Sequence, residues 1–315
     1  MTENPNKKIK LDDDSKEIIT TVETTVATTT TILKKINYLG RTPPSNPIFK
    51  VIFKSDDYCL VNKPYDVNID DDGKDRNETV VKYLENEYPE VKGSIRFVNR
   101  IDYATSGIVV TALNKKSANK GMELFQNRDT TKTYLAIVHG HIESDEGLID
   151  KPIANDKSDL NSFKMCIGDK IDNPGRSSQT NYKVLERGHI KRFKKFSDNL
   201  KLLSYNNSNN NGDNNSENNS DNNKNNDKND NIQNEEIIEM PVTKVLLTPK
   251  SGRRHQLRVH LQSIGHIIVG DETYGPKDPQ SERMMLHSWK LILPFKNEPQ
   301  INVETDDPFK EILIK

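Results

Sequence analysis

A long polar stretch limits how much of this chain can form a folded core. Residues 206–236 are almost entirely Asn, Asp, Ser, Lys and Glu, and Ile232 is the only apolar residue among them. Such a segment buries too little apolar surface to offset the entropy of ordering it, so it is predicted to be disordered. Because long surface loops are tolerated at a small entropic cost, we interpret the stretch as an insert within a folded domain.

The first 45 residues are also poor material for a core. They begin with charged residues, continue through a Thr-rich run at Thr20–Thr31 and end shortly after Pro43–Pro44. We predict a disordered tail over residues 1–45. The rest, residues 46–315 interrupted by the insert at 206–236, is long enough for one sizeable domain.

Cysteine usage and hydropathy restrict the cellular compartments in which we expect the protein. Cys59 and Cys166 are isolated, which excludes a disulfide framework and a Cys-based zinc site and favours a reducing environment. No apolar stretch approaches the length that spans a bilayer, and the N-terminal region has neither a secretion signal nor the acid-poor composition of a mitochondrial presequence. We therefore expect a soluble intracellular protein in the cytoplasm or the nucleus, without membrane partners.

Short β-type runs joined by turns dominate the remaining sequence. Helical spacing is found over 79–84, over 115–127, where Ala118, Met122 and Phe125 form a stripe, and from about Arg253 to Gly265. Strands are predicted at 51–54, 58–61, 96–102, 107–113, 132–138 and 242–248. Hairpin-joined strands with irregularly interspersed helices predict an α+β fold with a mixed, largely antiparallel sheet.

The segment from Asn99 to Gly107 carries the strongest functional signal. Alternate residues of an extended chain point to one face, so Arg100 and Asp102 are expected to project together, with Ile101 turned toward the core. A carboxylate beside a permanent cation tends to remain ionised, which suits a nucleophile better than a general acid. A surface ion pair is the structural alternative and is the commoner one for such a spacing.

Lys132 and Tyr134 place a cation and an aromatic ring on one face of a predicted strand. A surface lysine beside a core tyrosine is the usual meaning of this pattern. The functional alternative is a platform on which an extracted base stacks.

A net charge of −1 hides two basic segments, residues 187–201 and 244–266, which favour a phosphate-binding surface. Within the second, a Ser-Gly turn leads into a predicted helix start containing Arg253, Arg254 and Arg258, where the helix dipole disfavours cations. Phosphate binding would explain these arginines, and an ion pair from Arg258 to a carboxylate is compatible with it.

The remaining motifs narrow the chemistry. His255 and His260 are five residues apart and are not expected to bind a metal, and Gly270–Pro276 is interpreted as a turn without chemistry. There is no phosphate loop, dinucleotide fingerprint, nucleophilic-serine elbow or zinc-binding helix motif. We expect neither a metal nor a cofactor, and the inventory suits chemistry on a flipped-out nucleotide.

These motifs together resemble the RluA-type pseudouridine synthases, and most closely the eukaryotic RNA pseudouridylate synthase domain-containing proteins. The resemblance covers roughly residues 48–296, outside the insert. It rests on Asn62-Lys63-Pro64, Arg100-x-Asp102-x-x-Thr105-Ser106-Gly107, Lys132-x-Tyr134, residues 251–261, Gly270-Asp271-x-x-Tyr274-Gly275 and Met285-Leu286-His287-Ser288.

The resemblance implies a bent mixed sheet with flanking helices and an RNA cleft. It implies that Asp102 is the nucleophile toward a uridine, that Tyr134 stacks on the uracil and that Arg258 holds Asp102 through an ion pair. Arg100 would fill the gap left by the flipped nucleotide. Lys132, Arg253 and Leu257 complete the predicted surface for RNA or the uridine.

The chain also departs from the family pattern. Asn99 stands where the family usually has His, and Ile101 where Leu is commoner, which is a mild change. The small RNA-binding module that often precedes this domain is absent from residues 1–45. We expect an isomerase that acts as a monomer on tRNA, rRNA or mRNA; the alternative is a catalytically silent RNA-binding protein of the same fold.

Overall fold

The computed structural model describes residues 47–71, 78–160, 163–169, 171–209, 236–296 and 298–315. The predicted tail at 1–45 and most of the predicted insert lie outside the described residues.

Twelve strands and four α-helices succeed one another along the described chain, with a 3-10 turn at Pro89–Val91. The order is β1 (Lys50–Lys54), β2 (Tyr58–Lys63), α1 (Val80–Glu87), β3 (Arg96–Phe97), β4 (Ser106–Ala112), α2 (Lys115–Asn127), β5 (Thr131–His139), β6 (Glu146–Asp150), β7 (Ile153–Asn155), β8 (Met165–Ile167), β9 (Gln179–Phe193), α3 (Lys194–Asn209), β10 (Ile237–Pro249), α4 (Gln256–Gln262), β11 (Leu286–Leu293) and β12 (Ile301–Glu304).

Ten of the strands form one sheet, in the order β1-β2-β4-β11-β5-β10-β9-β6, with β12 paired to β11 and β3 to β4. Its pairs are antiparallel except β4 with β11, which run parallel. Strands β7 and β8 form a separate antiparallel hairpin. The predicted α+β class with a mixed, largely antiparallel sheet is therefore confirmed.

The parallel pair explains the glycine of the Thr-Ser-Gly sequence, whose Ser106 and Gly107 begin β4. Gly107 lies opposite Ser288 with φ of 109°, and a Cβ atom there would overlap the backbone carbonyl of Ser288. Only glycine accepts both this conformation and this close approach. The loop that carries Asp102 is thereby joined directly to the centre of the sheet.

Three clusters of buried side chains cover the sheet. The largest involves β5, β10 and β11 and includes Leu257 and Leu261 of α4; the second packs α2 against β2 and β4, and the third packs α1 against them. The first cluster supports the helix next to the cleft described below, so burial of apolar surface fixes that helix on the sheet.

Helix α2 has the predicted bounds, and its buried face departs from the predicted stripe at Met122. The residues it buries are Ser117, Ala118, Gly121 and Leu124, whereas Met122 of the predicted stripe is 43% exposed. A Cβ atom on Gly121 would lie 2.7 Å from a methyl group of Val98. The helix packs on its small residues because they permit this close approach. Of the predicted stripe, Ala118 is buried and Phe125 packs against the second apolar cluster, so the prediction was wrong for Met122.

Two element boundaries also differ from the prediction. Strand β3 ends at Phe97 and does not continue to Asp102, because the Asn99 Oδ1 atom accepts a hydrogen bond of 2.7 Å from the backbone N–H of Val110. Helix α4 begins at Gln256 and not near Arg253. Asp102 and Arg253 consequently lie on loops that precede regular elements.

Candidate active site

An open cleft of about 660 Å³ brings the predicted site residues together. Its walls come from the loop before β4, from β5 and from the turn before α4. The lining includes all seven predicted residues: Arg100, Asp102, Lys132, Tyr134, Arg253, Leu257 and Arg258.

Asp102 lies on the loop between β3 and β4 with its side chain 26% exposed. Its backbone carbonyl accepts a hydrogen bond of 3.1 Å from the N–H of Thr105, which closes a turn ahead of β4. The neighbouring Ile101 packs against the third apolar cluster, as its predicted inward direction requires. The carboxylate therefore stands at the cleft wall on a loop whose two flanks are anchored.

Arg258 is buried and binds two carboxylates at once. Its Nη1 atom donates to Asp102 Oδ2 at 3.1 Å, while Nε and Nη2 each donate to the carboxylate of Asp271 at 2.7 Å. Burial works against the guanidinium charge, but the hydrogen bonds and charge of Asp271 outweigh it, so the pKa of Arg258 is raised. The two hydrogen bonds to Asp271 fix the guanidinium plane and hence the direction from which Arg258 contacts Asp102.

The Gly270–Pro276 turn, which we interpreted from the sequence as a segment without chemistry, contains Asp271, the second carboxylate that binds Arg258. That interpretation was therefore wrong. The side chain of Asp271 is almost completely buried and also accepts from the backbone N–H groups of Thr273 and Tyr274. A buried carboxylate requires a cation partner. The signal available in the sequence was an Asp directly after a turn glycine, but its partner is 13 residues away and becomes visible only in the fold.

Gln256 fixes the turn that holds the cleft arginines. Its Oε1 atom accepts hydrogen bonds from the Ser251 hydroxyl at 2.7 Å and from the Arg253 backbone N–H at 3.1 Å. Its Nε2 atom donates to the carbonyl of Gln179 and to the hydroxyl of Thr180, both at 3.0 Å. The glutamine therefore ties the start of α4 to strand β9.

Tyr134 and Lys132 share one face of β5, as predicted, and both line the cleft. Burial, opposed by a hydrogen bond with Ser288 and supported by the charge of Asp102, raises the pKa of Tyr134 to about 12. The phenol is thus neutral at physiological pH. This favours a role as an apolar face with a polar edge over a role as a base.

Lys132 is only 8% exposed, and its Nζ atom lies 5.8 Å from the centre of the Phe125 ring. Burial and the nearby charge of Arg128 lower its pKa. Within the described part of the chain no carboxylate pairs with this ammonium group. An anionic ligand would supply the missing counter-charge.

The cleft arginines differ in exposure. Arg100 is exposed at the rim, and Arg254 is exposed with its Nε atom 3.2 Å from the sulfur of Met165. Arg253 is half-buried, and its buried Nε–H has no hydrogen-bond partner among the described residues. Arg253 therefore has hydrogen-bonding capacity that the described chain does not use.

The first basic segment serves a different purpose from the second. Three of its cations form ion pairs within the chain: Arg187 with Asp145 at 2.7 Å, Arg192 with Asp278 at 2.9 Å and Lys194 with Glu236 at 2.7 Å. No residue of this segment is among those that line the cleft, whereas Arg253, Arg254 and Arg258 of residues 244–266 line it together with Arg100 and Lys132.

Lys63 supports the Asp102 loop, and reasoning from the sequence gave it no role. Its side chain is completely buried and its Nζ atom donates to the carbonyls of Pro64 and Val67 at 2.8 Å and of Tyr103 at 3.0 Å. Burial lowers the pKa of Lys63 to about 7, against the charges of Asp66 and Asp102. Three carbonyl acceptors match the three N–H groups of an ammonium ion. Through these hydrogen bonds Lys63, the last residue of β2, holds Tyr103, which directly follows Asp102.

The side chain of Asn99 has a structural role. It completes the hydrogen bonding of β4 at Val110, and Asn99 is not among the residues that line the cleft. Asn99 therefore serves the structure of the loop before β4.

The cleft thus combines a carboxylate held by a buried arginine, an aromatic ring and several cations, a set of groups that is compatible with nucleophilic chemistry on a phosphate-bearing substrate. In the described ranges, no group of three or more His, Cys, Asp or Glu side chains could hold a metal ion, and no helix is long and apolar enough to cross a membrane.

Comparison with known proteins specifies the class. Residues 57–263 match the profile of the RNA pseudouridylate synthase family. The RNA pseudouridylate synthase domain-containing protein 1 of Danio rerio is 33% identical over 275 residues, which are 85% of this chain and 77% of that protein. The dual-specificity RNA pseudouridine synthase RluA of Vibrio parahaemolyticus is 31% identical over 252 residues, which are 79% of each chain. The chain belongs to the RNA pseudouridylate synthase family, of RluA type, which is a family of isomerases.

A solved structure agrees with this assignment. The human RNA pseudouridylate synthase domain containing 1 superposes with a TM-score of 0.60 at 31% sequence identity, covering 85% of this chain and 87% of the human one. The expected pseudouridine synthase fold is therefore confirmed.

Proposed function

We propose that this protein converts uridine to pseudouridine in RNA, with Asp102 as the nucleophile. The observation that carries the proposal is the placement of the Asp102 carboxylate, 3.1 Å from the buried guanidinium of Arg258, in a cleft lined by Tyr134 and by cations. The printed name of the Vibrio relative, an RNA pseudouridine synthase, supports RNA as the substrate.

The reaction is an isomerisation and its atoms balance without a cofactor. The bond from C1′ of the ribose to N1 of the uracil breaks, the base rotates while it stays in the cleft, and a bond forms from C1′ to C5. The hydrogen displaced from C5 is balanced by the hydrogen that N1 gains. Asp102 assists as a nucleophile, and both a ribose adduct and a uracil adduct are compatible with a carboxylate at this place.

The other lining residues take the roles that their environments support. Arg258 fixes the orientation of Asp102, and Tyr134 provides a face on which the uracil stacks. Lys132 and Arg253 bind phosphate, Leu257 provides apolar contact, and Arg100 at the rim fills the space left by the flipped nucleotide.

A catalytically silent RNA-binding protein of the same fold is the alternative. Such a protein would be free to lose the nucleophile, its arginine or the stacking ring, whereas Asp102, Arg258 and Tyr134 all line this cleft. Mapping pseudouridines in the total RNA of cells with and without the protein decides between the two. We expect defined sites to lose the modification, and identical maps would favour the silent protein. We further propose that the protein acts as a monomer in the cytoplasm or the nucleus.

The stacking role of Tyr134 is tested by two substitutions. Tyr134→Phe keeps the aromatic face, so we expect single-turnover isomerisation within about threefold of the wild-type rate. Tyr134→Ala removes the face, and since stacking contributes about 1–3 kcal/mol per base, the rate should fall by about 10- to 100-fold. RNA affinity should change far less, because it rests on phosphate contacts. An equal loss of rate in both variants would show that the hydroxyl takes part in the chemistry.

The predicted domain organisation also remains a proposal. Strands β9 and β10 pair with Phe193 opposite Ile237, so the segment between them returns to its starting point. We predict that replacing residues 210–235 by about ten Gly and Ser residues leaves activity within about twofold, since the spacer reaches ~33 Å and the 16-residue helix α3 is ~24 Å long.

Phe196→Ala provides the matched control for this replacement, because Phe196 of α3 is buried in the largest apolar cluster. The control should lower the midpoint of urea unfolding, whereas the spacer variant should not. A spacer variant that binds RNA many-fold more weakly would show that residues 210–235 are a functional arm.

A further inference from the structure

Three polar groups connect the β7–β8 hairpin to the nucleophile. The backbone N–H of Met165 donates to the Tyr274 hydroxyl oxygen at 2.9 Å, and this oxygen lies 2.8 Å from His255 Nδ1. The other ring nitrogen of His255, Nε2, lies 4.0 Å from Asp102 Oδ2. Reasoning from the sequence weighed His255 only as a metal ligand and gave Tyr274 no chemistry.

Donor and acceptor roles along this series follow from Met165. A backbone N–H can only donate, so the Tyr274 oxygen is an acceptor toward Met165. Among the described residues, His255 Nδ1 is the acceptor within reach of the phenolic hydrogen, and we assign the hydrogen bond in this direction because the opposite one would leave that hydrogen without an acceptor. The proton of the neutral imidazole is then on Nε2, the nitrogen that faces Asp102.

The ionisation of both side chains agrees with these roles. Burial raises the pKa of Tyr274 to about 12, so its hydroxyl keeps its hydrogen. Burial likewise lowers the pKa of His255 to about 4, although the charges of Asp102 and Asp271 act in the opposite direction and those of Arg258 and Arg254 act with it. At neutral pH the imidazole therefore has one N–H group, so the question of whether the proton is on Nδ1 or on Nε2 has a definite answer.

The imidazole is also held in one orientation. His255 is 5% exposed and packs edge-on against the rings of Phe163 at 4.9 Å and Tyr274 at 5.6 Å. Its backbone φ is 54°, a left-handed conformation that residues other than glycine rarely adopt. Such conformations cluster at functional sites, where the surrounding structure maintains them.

We infer that His255 is a positioning residue whose Nε2–H group, set by the hydroxyl of Tyr274, orients the carboxylate of Asp102. Arg258 and His255 both face the Oδ2 atom of Asp102, so the Oδ1 atom is left to attack the nucleotide. A distance of 4.0 Å is too long for a hydrogen bond, and closure by about 1 Å around bound RNA would form one. The inference rests on the proposed function.

The tautomer can be tested without catalysis. Long-range ¹H–¹⁵N spectra of the full chain labelled at histidine, with the His255→Gln spectrum used for assignment, distinguish the two neutral forms. We expect the Nε2–H form for the wild type and a mixture or the Nδ1–H form for Tyr274→Phe. A wild-type signal of the Nδ1–H form overturns the inference, even if the protein makes pseudouridine.

Single-turnover kinetics test the effect on Asp102. His255→Gln places an amide N–H near the position of Nε2, whereas His255→Met has similar length and no donor, and both residues meet the same backbone strain. We expect His255→Gln to stay within about fivefold of wild type and His255→Met to lose about 20- to 100-fold, the effect of a hydrogen bond to a charged group, with unchanged RNA affinity. Equal losses in the two variants overturn the inference.

Tyr274→Phe has its own matched control. Tyr58 also has a buried hydroxyl, which donates to the carbonyl of Ser117 at 2.8 Å in a different apolar cluster. Tyr274→Phe should slow single turnover about tenfold, and Tyr58→Phe should not. Equal rates in the two variants count against the coupling. If the wild type makes no pseudouridine, the proposed function fails, while the spectra still decide the tautomer.

Discussion

Replacing Asp102 by Asn is expected to reduce pseudouridine formation at least about 1000-fold, to below detection in single-turnover assays. The amide has nearly the same size as the carboxylate but lacks the negative charge needed for nucleophilic attack. Folding should be preserved because Arg258 keeps its two hydrogen bonds to Asp271, which leaves no unpaired buried charge. RNA affinity should stay within about threefold, since phosphate contacts dominate it.

The matched control is Asp306→Asn, which makes the same chemical change at an exposed position beyond β12. It should retain the wild-type rate. Turnover by Asp102→Asn at a rate comparable to the control would mean that another group attacks the nucleotide, and the proposed mechanism would fail while the family assignment would stand.

The fold class, the elements up to β5 and strand β10 were predictable because their signals are local, whereas helix α3 and six strands were not predicted, namely β6, β7, β8, β9, β11 and β12. The hairpin at 51–61, the bounds of α2 and the strand that became β5 follow from residue types and spacing over short windows. The errors have a common cause in tertiary contacts. Met122 is exposed because Gly121 allows α2 to approach Val98. Strand β3 is short because the Asn99 side chain, and not the backbone of a longer strand, accepts the hydrogen bond from the Val110 N–H.

The lining of the cleft was predictable as far as its residues stand in short motifs. Arg100 with Asp102, Lys132 with Tyr134 and the arginines after Gly252 are recognisable because each set lies within a few positions. Lys63 and Asp271 were missed since their partners are distant in sequence: Lys63 reaches a carbonyl 40 residues away. The role of such a buried polar group can be recognised only when the fold shows which hydrogen-bond or ion-pair partner it has.

The substitution Arg258→Ala is expected to affect both stability and activity. It leaves the carboxylate of Asp271, which is 2% exposed, without its cation, and removing one member of a buried pair costs about 3–5 kcal/mol. It also frees Asp102 from the donor at 3.1 Å, so we expect single-turnover isomerisation to fall at least about 100-fold. Urea unfolding measures the first effect, and rates under conditions where the variant remains folded measure the second.

The double variant Arg258→Ala with Asp271→Ala separates these two effects. Removing both charges abolishes the uncompensated carboxylate, so about 2 kcal/mol of the lost stability should return, whereas Asp102 still lacks its partner and the rate should remain low. A double variant that regains both stability and turnover would show that Arg258 acts through folding alone. Recovery of stability without turnover requires a direct role toward Asp102, because the loss of rate then persists in a chain whose buried charges are balanced.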